Sequence, residues 1–400
     1  MSCNSNPISI VEMGWGGEVP NATLIRADET SPALFVSNAP EQVGEGDPTA
    51  PKSWVFGGGP WNLCRAHLTG SEVPTKVRVF FWHVSRLTVP SYWAVIVGSN
   101  APGLTVANLK GQVANERTGN LAQHGMCFAD AQLFASLDAM QVVGQAGAEI
   151  VVWKASVPAG TTEAGLFQFI ACVLEFDVTA SDFTIRSVVS KNDGAFGDYN
   201  TQLAPPWNNW PPSSDPPTHV RGYWLESKLF LDLPGVFDCA LVQPPPNFVE
   251  YDFCSNTGAE RAYYNESTSK AEGSTDNPAA YGANLSYTGH YKNSGDVPAR
   301  LYVGMRARNT GAKYFGAGRI VVPATALKRK LPPIPSSANP NERGYDLTSV
   351  YPEPSPTGHI SVPADNVERQ VEILLANGGG CATPANILLS RDGIWPAPLP

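Results

Sequence analysis

The alternation of apolar and polar positions predicts a chain built mainly of β-strands. Residues 76–84 and 92–98 are rich in aromatic and β-branched side chains, and residues 104–109 follow a turn-forming tetrapeptide at 100–103. Runs of this kind, separated by Asn, Pro and Gly, are typical of strands joined by tight turns. We therefore predict a three-stranded meander over residues 76–109.

Similar runs extend this pattern along most of the chain. The second half of the stretch 299–308 alternates strictly, which predicts one face against a core and the other in solvent. A late run at 371–376 is also predicted as a strand. The remaining predicted strands cover residues 148–154, 164–176, 183–189, 283–291 and 314–322.

One segment departs from the period of two and predicts a short helix near residues 125–139. Phe128, Leu133 and Leu137 recur near helical spacing within an alanine-rich stretch. Asp130 suits a position near the helix start, because its carboxylate can accept hydrogen bonds from backbone N–H groups there.

Prolines divide the chain into regions, because they prevent regular ladder pairing and favour extended chain. A proline-rich stretch at 191–218 interrupts the strand pattern. The predicted fold class is mainly β, with two antiparallel β-sandwich domains of jelly-roll or immunoglobulin-like type, one short helix and proline-rich arms. The predicted regions are a first sandwich at 1–194, a linker at 195–218, a second sandwich at 219–330, and an arm with a late strand at 331–400 that packs on the second sandwich or on a neighbour.

Composition narrows the classes of partner. Charged residues make up 16% of the 400 residues, and the net charge is −9, which argues against nucleic acid as a partner. The short basic run at 328–330 is interpreted as a solvated strand end, with a phosphate or membrane contact as the alternative. No apolar stretch approaches the length of a membrane span, and the N-terminus lacks the pattern of a signal peptide.

The cysteines predict thiols rather than a metal or redox site. They are scattered, odd in number and never spaced as C-x-x-C, and we interpret them as buried thiols of a protein made in a reducing compartment. A disulfide between Cys239 and Cys254, across the proline turn at 244–246, is the alternative. The seven positions are Cys3, Cys64, Cys127, Cys172, Cys239, Cys254 and Cys381.

Motifs for catalysis or cofactor binding are absent from the sequence. It contains no G-x-S-x-G, P-loop or H-E-x-x-H pattern, and its six histidines are far apart. Glu175 and Asp177 share a strand face, but a glycosidase needs carboxylates across a cleft. We therefore predict no enzyme, no catalytic residue, no cofactor and no metal, and keep a polysaccharide-active hydrolase as the least favoured reading.

Tryptophans outside the predicted strands are the candidates for interaction. Trp207 and Trp210 flank Asn208 and Asn209, a combination that can stack on sugar rings and hydrogen-bond their hydroxyls. The alternative, which we favour, is that both rings fill a contact between domains or subunits, where Trp is also enriched. Further interface candidates are Trp15, Trp54, Trp61 and Trp395.

Several short fragments occur in order between residues 35 and 320: 37–43, 80–83, 94–97 with Asn100, 219–224, and 281–287 with 293–294. These fragments resemble a family of uncharacterised bacterial envelope proteins of the cyanobacterial type. The resemblance implies a β-sandwich surface protein without an assigned activity, and it carries no catalytic residue. This chain departs from the family pattern at Trp224, where the family has Phe, in lacking the first Gly-Asn, and in lacking a signal sequence.

Together these features predict a non-enzymatic structural subunit of an extracellular assembly. The assembly is a virion, with this chain as a capsid-associated, neck or tail protein, or a surface layer or filament. The expected partners are copies of the chain or other subunits, and the expected location is a virion or the cell surface. A glycan-binding adhesin is the alternative. Proline-rich arms and exposed aromatics would lie across neighbouring subunits, since such packing needs no regular ladder.

Overall fold

A computed structural model represents the whole chain and describes most of its strands in detail. The described residues are 10–12, 21–44, 53–55, 60–118, 121–133, 136–146, 149–159, 167–191, 203, 220–240, 247–255, 257–307, 316–322, 327–330, 343–346, 359–378 and 385–392. Within them the protein is mainly β, with several sheets, so the predicted fold class is confirmed at the level of the β-sandwich.

The strands are numbered in chain order. In the first half they are β1 (Ile10–Glu12), β2 (Thr23–Ala27), β3 (Ala33–Ser37), β4 (Gln42–Gly44), β5 (Ser53–Val55), β6 (Trp61–Thr69), β7 (Lys76–Arg86), β8 (Ser91–Gly98), β9 (Thr105–Thr118), β10 (Asp138–Ala139), β11 (Gly144–Ala146), β12 (Glu149–Val157), β13 (Phe167–Thr179) and β14 (Asp182–Ser190). In the second half they are β15 (Arg221–Trp224), β16 (Lys228–Asp238), β17 (Phe248–Phe253), β18 (Asn284–Lys292), β19 (Ala299–Ala307), β20 (Gly316–Val322), β21 (Leu327–Lys330), β22 (Arg343–Asp346), β23 (Ile360–Val362), β24 (Arg369–Asn377) and β25 (Ala385–Ser390). The α-helices of the described residues are α1 (Leu121–Leu133) and α2 (Ala259–Tyr263).

The first sandwich consists of two sheets. One has the order β10-β9-β13-β7-β3-β15, with β4 added beside β7 and β5 beside β4, and the other has the order β11-β12-β8-β14-β6. Alternate side chains of β7, among them Val79 and Phe81, point between the sheets and meet Trp93 and Ile185 from the facing sheet. Each fully buried apolar side chain of this kind contributes roughly 1.5–3 kcal/mol.

The second sandwich also consists of two sheets, but its strands come from both ends of the chain. One sheet has the order β2-β16-β18-β24-β20-β21, and the other has the order β1-β22-β19-β25-β17, with β23 beside β19. Leu231, Tyr287 and Ile373 from the first of these sheets share a core with Leu301 and Leu389 from the second. The strands β16 and β18 run parallel, and their register shifts between Asp232 and Val236.

The two sandwiches pack directly on each other along a surface that we call the seam. β7 and β13 are buried on both faces, because side chains such as Phe80 and Trp82 point away from the first sandwich and join the core of the second. The ring of Phe80 stacks on Tyr281, with centroids 5.8 Å apart. In a strand that is buried on both faces, successive residues are apolar, and this explains why apolar and polar residues alternate only weakly along β7.

Polar contacts reinforce the seam. Arg78 donates from Nη1 to the carbonyl oxygen of Gly282 at 3.2 Å, and its guanidinium pairs with Glu175 at 2.6 Å. The side chain of Gln132, on α1, donates to the carbonyl oxygen of Ala283 at 2.8 Å. Both sandwiches and α1 are therefore connected through the turn that precedes β18.

The predicted meander is wrong. β7 and β9 lie in one sheet of the first sandwich, whereas β8 lies in the other, paired with β12 and β14. Turn residues between two strands produce the same sequence pattern whether the chain reverses within one sheet or crosses to the facing sheet. The sequence predicted the strands correctly and their pairing incorrectly.

The predicted helix exists, but its bounds differ. It begins at Leu121 and ends at Leu133, so Asp130 lies in its last turn rather than near its start. Residues 138–139, within the predicted helix, form a short strand against Gly111 and Lys110. A second, five-residue helix, α2, was not predicted.

Strand pairing crosses the predicted region boundaries at three places. β1 and β2 pair with strands of the second sandwich, although both belong to the predicted first domain, 1–194. β15 pairs with β3 in the first sandwich, although it follows the predicted linker, 195–218. Within the predicted arm, 331–400, β24 is a central strand between β18 and β20, and β25 lies between β17 and β19. The arm therefore contributes core strands of the second sandwich.

Candidate functional site

Most of the predicted interaction residues lie outside the described residues: Trp15, Trp207, Asn208, Asn209, Trp210 and Trp395. Trp54 lies on β5, and its side chain is likewise not described. Trp61 begins β6 and is half-buried, where it packs against the core of the first sandwich. Its ring therefore takes part in the core of this chain.

The first sandwich contains a buried Ser–His–Ser chain. Ser37 Oγ lies 2.9 Å from Nε2 of His83 and 2.7 Å from the hydroxyl of Ser187, while His83 Nδ1 lies 2.7 Å from the carbonyl oxygen of Pro40. Because a carbonyl only accepts, Nδ1 carries the proton and Nε2 accepts from Ser37. These bonds connect β3, β7 and the facing strand β14.

The Ser37–His83–Ser187 arrangement lacks two requirements of a catalytic serine nucleophile. The group that orients His83 is a backbone carbonyl rather than a carboxylate, and His83, Ser37 and Ser187 are fully buried, so a substrate has no direct access. Burial lowers the pKa of His83 to about 3, which keeps the imidazole neutral. The arrangement is suited to joining the two sheets.

Two carboxylates considered as a catalytic pair are both engaged in ion pairs. Glu175 pairs with Arg78 at 2.6 Å, and Asp177 lies 3.7 Å from the ammonium of Lys76 and also accepts a hydrogen bond from Asn108. Both therefore hold neighbouring strands together. Among the described residues, no group of three or more His, Cys, Asp or Glu side chains could hold a metal ion.

Carboxylates also hydrogen-bond tyrosines in and beside the second sandwich. Tyr287, on β18, donates to the buried carboxylate of Glu260, on α2, and Tyr263 donates to Glu226. Burial raises the pKa of Glu260, although the hydrogen bond from Tyr287 opposes this shift. Burial and the charge of Glu29 raise the pKa of Glu226.

A buried arginine forms a further part of the seam that the sequence analysis did not identify. Arg221, on β15, donates from Nε to the carbonyl oxygen of Gly273 at 2.6 Å and from Nη1 to that of Leu63 at 3.1 Å. Thr275 donates its backbone N–H to the carbonyl oxygen of Arg221. The connection that leads into β18 is thereby held against the first sandwich. The sequence signal that could have identified Arg221 is its position as a charged residue within the apolar run that includes Tyr223.

The cysteine predictions require two corrections. Cys239 and Cys254 do not bond to each other; both carry thiols, and Asn377 Nδ2 lies 3.6 Å from the Cys254 sulfur. Cys127, on α1, is disulfide-bonded, so the prediction that all the cysteines are thiols is wrong at this position. Burial raises the pKa of Cys64 and of Cys239 to about 12, which makes these thiols poor nucleophiles.

Exposed apolar side chains occur at one end of the second sandwich, which we call the valine end. Val236, Val297 and Val367 are 43%, 61% and 52% exposed. The loops of Val297 and Val367 are held together, because Asn366 donates its backbone N–H to the carbonyl oxygen of Asn293. Ser294 donates to Asp238, at the end of the strand that carries Val236. The valine end is therefore a defined surface feature.

Comparison with known proteins does not assign the chain to a family. No protein-family model matches it, and no curated protein is found as a relative. The resemblance to bacterial envelope proteins stays a prediction. No helix among the described residues is long and apolar enough to cross a membrane.

Proposed function

We propose that this chain is a non-enzymatic structural subunit of an extracellular assembly, with a virion shell as the leading case. The observation that carries the proposal is the path of the chain through the first sandwich. The strands β6, β8, β12 and β14 lie in one sheet, and β7, β9, β10 and β13 lie in the other. This distribution matches an eight-stranded jelly roll, an architecture that recurs in viral capsid and lectin domains.

The pairing within these sheets supports the same comparison. Taken as eight strands, the first (β6) pairs with the last (β14), and the second (β7) pairs with the seventh (β13). The third strand, β8, lies between β14 and β12. The finer assignment as a jelly roll therefore forms part of the proposal.

The second sandwich supports the proposal with a related order. Its strands β17, β25, β19 and β22 follow one another across one sheet, and β16, β18 and β24 follow one another across the facing sheet. In a complete jelly roll, the eighth strand lies between the first and the third. Here β16 and β18 take the places of the first and the third strand, and they pair directly with each other in parallel. Two such sandwiches with a shared apolar seam form a single rigid block, which suits a shell subunit.

The chemistry of the described residues favours a structural role over catalysis. His83, Glu175 and Asp177 all take part in contacts that hold strands together. The disulfide of Cys127 supports a protein that persists in an oxidising environment, such as a virion or a cell surface. Copies of the chain are the expected partners.

Assembly of the purified full-length chain tests the proposal. We expect higher-order particles in sedimentation velocity and electron microscopy as the protein concentration rises. A chain that stays monomeric across the accessible range of concentration and ionic strength would contradict the proposal.

A tail truncation separates assembly from folding. Residues 393–400, with Trp395, follow the last described strand, so their removal spares every described strand of both sandwiches. We expect the truncated chain to keep its melting temperature and to lose particles, with Trp395→Ala as the milder matched variant. Unchanged particles after truncation would exclude the tail as a subunit contact. Deletion of 331–363 is unsuitable, since it removes β22 and β23.

Glycan binding is the second candidate, because jelly rolls also form lectin domains and the segment 207–210 joins two Trp with two Asn. The test is a glycan array with the wild type and with Trp207→Ala/Trp210→Ala. Binding that disappears in the double variant, with an unchanged melting temperature, would support a lectin. Absence of wild-type binding removes this candidate.

A further inference from the structure

An imidazole lies between two carboxylates near the valine end of the second sandwich. His290, on β18, has Nε2 at 2.7 Å from an oxygen of Asp232, on β16, and Nδ1 at 3.0 Å from an oxygen of Glu368, next to β24. The imidazole side chain is 18% exposed, and those of Asp232 and Glu368 are 40% and 54% exposed. These two contacts bridge three strands of one sheet.

The number of N–H groups on the imidazole of His290 determines whether both hydrogen bonds can form. A neutral imidazole has one N–H, so it can donate to only one carboxylate, and its other nitrogen would place a lone pair against carboxylate oxygen. An imidazolium donates from both nitrogens, and both bonds are then charge-assisted. The observed arrangement is complete only when His290 is protonated.

We propose that His290 is a pH-sensitive clamp that holds β16, β18 and β24 together when it is protonated and loses one of its two contacts when it is neutral. The inference does not depend on the proposed function, because it concerns the isolated chain. Histidine is the side chain suited to such a switch, since it ordinarily changes charge near pH 6.5.

The clamp lies at an irregularity in the strand pairing of its sheet. The parallel ladder of β16 and β18 is interrupted after Asp232, paired with Thr288, and resumes at Val236, paired with His290. A side-chain bridge across this irregularity replaces ladder contacts that the backbone does not make. It also fixes the strands that lead to Val236 and Val367.

The residues around the clamp place no unpaired cation beside His290 on the neighbouring strand β24 or along β18. Gln370, directly opposite His290 on β24, is uncharged, and Arg369 is held by Asp365 at 2.9 Å. The nearest cation along β18 is Lys292, which interacts with Asp238. The titratable groups of the packed elements are Asp232, Asp238, Tyr251, Lys292, Glu368 and Glu372.

Hydrogen–deuterium exchange on the full-length chain tests the clamp. After correction for intrinsic rates, we expect the amides of 284–292 and 365–377 to exchange about two- to fivefold more slowly near pH 5.5 than near pH 8, the range for partly exposed ion pairs. His290→Gln should lower this difference to less than about half of the wild-type value, and Glu260, which hydrogen-bonds Tyr287 on β18, accounts for the remainder. His67→Gln is the matched control, because His67 also lies near a carboxylate, Asp182 at 3.9 Å, but in the first sandwich.

The outcomes separate clearly. A pH response in His290→Gln equal to that of the wild type would overturn the clamp, and so would its loss in the His67→Gln control. If His290→Gln does not fold, Glu368→Gln takes its place, since it removes one charged acceptor and leaves the imidazole. Its pH response should fall to less than about half of the wild-type value, and an undiminished response overturns the proposal.

Discussion

The first sandwich takes most of its strands from residues 60–191, whereas the second collects strands from residues 10–27, 228–253 and 284–390. The core of the first sandwich is enclosed between its own sheets, but that of the second is continuous with the seam. The first sandwich has the self-contained core of an independent folding unit. The second needs the outer face of the first, together with both ends of the chain, to complete its burial.

The buried polar groups of the two sandwiches differ in a corresponding way. The first contains a neutral His83 between its sheets, whereas Glu260 packs against β18 of the second, where burial favours its protonated form. Both groups are less readily charged when folded, but His83 gains its charge as the pH falls, whereas Glu260 gains its charge as the pH rises. The two sandwiches should therefore respond to pH in opposite directions.

The largest expected effect is acid destabilisation of the first sandwich through His83. Its folded pKa of about 3 lies below the ordinary value of 6.5, so the unfolded chain binds the extra proton as the pH falls between these values. Stability present above pH 6.5 is lost progressively toward pH 3, on the order of 5 kcal/mol in total. The measurement is the free energy of unfolding in urea between those pH values.

His83→Gln is the control for that prediction. The amide can donate to Pro40 and accept from Ser37 but does not titrate, so this variant should be less stable at neutral pH and flatter toward acid. An equally steep loss of stability in the variant would show that other groups cause the acid effect.

The next largest effect should come from truncation at the seam. Trp82 is fully buried and contacts Phe80, Phe128 and Phe169. Trp82→Ala should cost about 3–5 kcal/mol, because it leaves a cavity between the sandwiches. Trp82→Phe should cost much less, since it fills most of that cavity.

Differential scanning calorimetry tests whether the seam couples the two sandwiches. We expect one cooperative transition in the wild type and two after Trp82→Ala. A single transition in both proteins would contradict the view that the first sandwich has a self-contained core.

A pair of glycines separates packing at the seam from backbone strain. Gly282 has a φ of +77°, and a Cβ there would lie 2.7 Å from Leu34 and 2.9 Å from Phe80. Gly235, on β16, has a φ of +80° with open space around it. We expect Gly235→Ala to cost about 1 kcal/mol and Gly282→Ala about 2–3 kcal/mol, measured by denaturant unfolding. Equal losses would mean that the seam can relax around an added methyl group.

The smallest expected effect is the loss of stability of the second sandwich as the pH rises above 4.5. Because the pKa of Glu260 is raised above its ordinary 4.5, its contribution to stability is fully present below pH 4.5 and is lost as the pH rises through the folded value. Glu260→Gln keeps an acceptor for Tyr287 and should flatten this part of the pH profile. A wild-type profile in the variant would assign the pH dependence to another group.

Strands were predictable from the sequence where the local pattern was strong. β7, with Val79 and Phe81, and β18, with Leu285 and Tyr287, are close to their predicted bounds, because β-branched and aromatic residues favour the pleated backbone. The helix was predicted from its spacing, but its bounds were not. Its start was predicted near Asp130, although Asn120, a favoured N-cap type, directly precedes Leu121. No glycine directly follows Leu133 to mark the end. The candidate site was less predictable: Trp61 is half-buried and packs against the core of the first sandwich, and its role as an interface residue stays a prediction.

Contacts between residues far apart in sequence were not predictable. The pairing of β2 with β16, or of β15 with β3, connects segments about two hundred residues apart and leaves no local signal. The same reasoning applies to the clamp, where Asp232, His290 and Glu368 each look like a separate polar residue on a strand or loop.

By itself, the sequence determined the β class, the position of most strands and the lack of a recognisable catalytic motif. These depend on local preference and on the period of two, which a single strand already expresses. Only the tertiary structure decided which sheet each strand joins, that residues such as Phe80 face a second core, and that His83 is neutral. The physical reason is that burial and hydrogen-bond partners are supplied by distant parts of the chain, and they exist only once both sandwiches have closed on the seam.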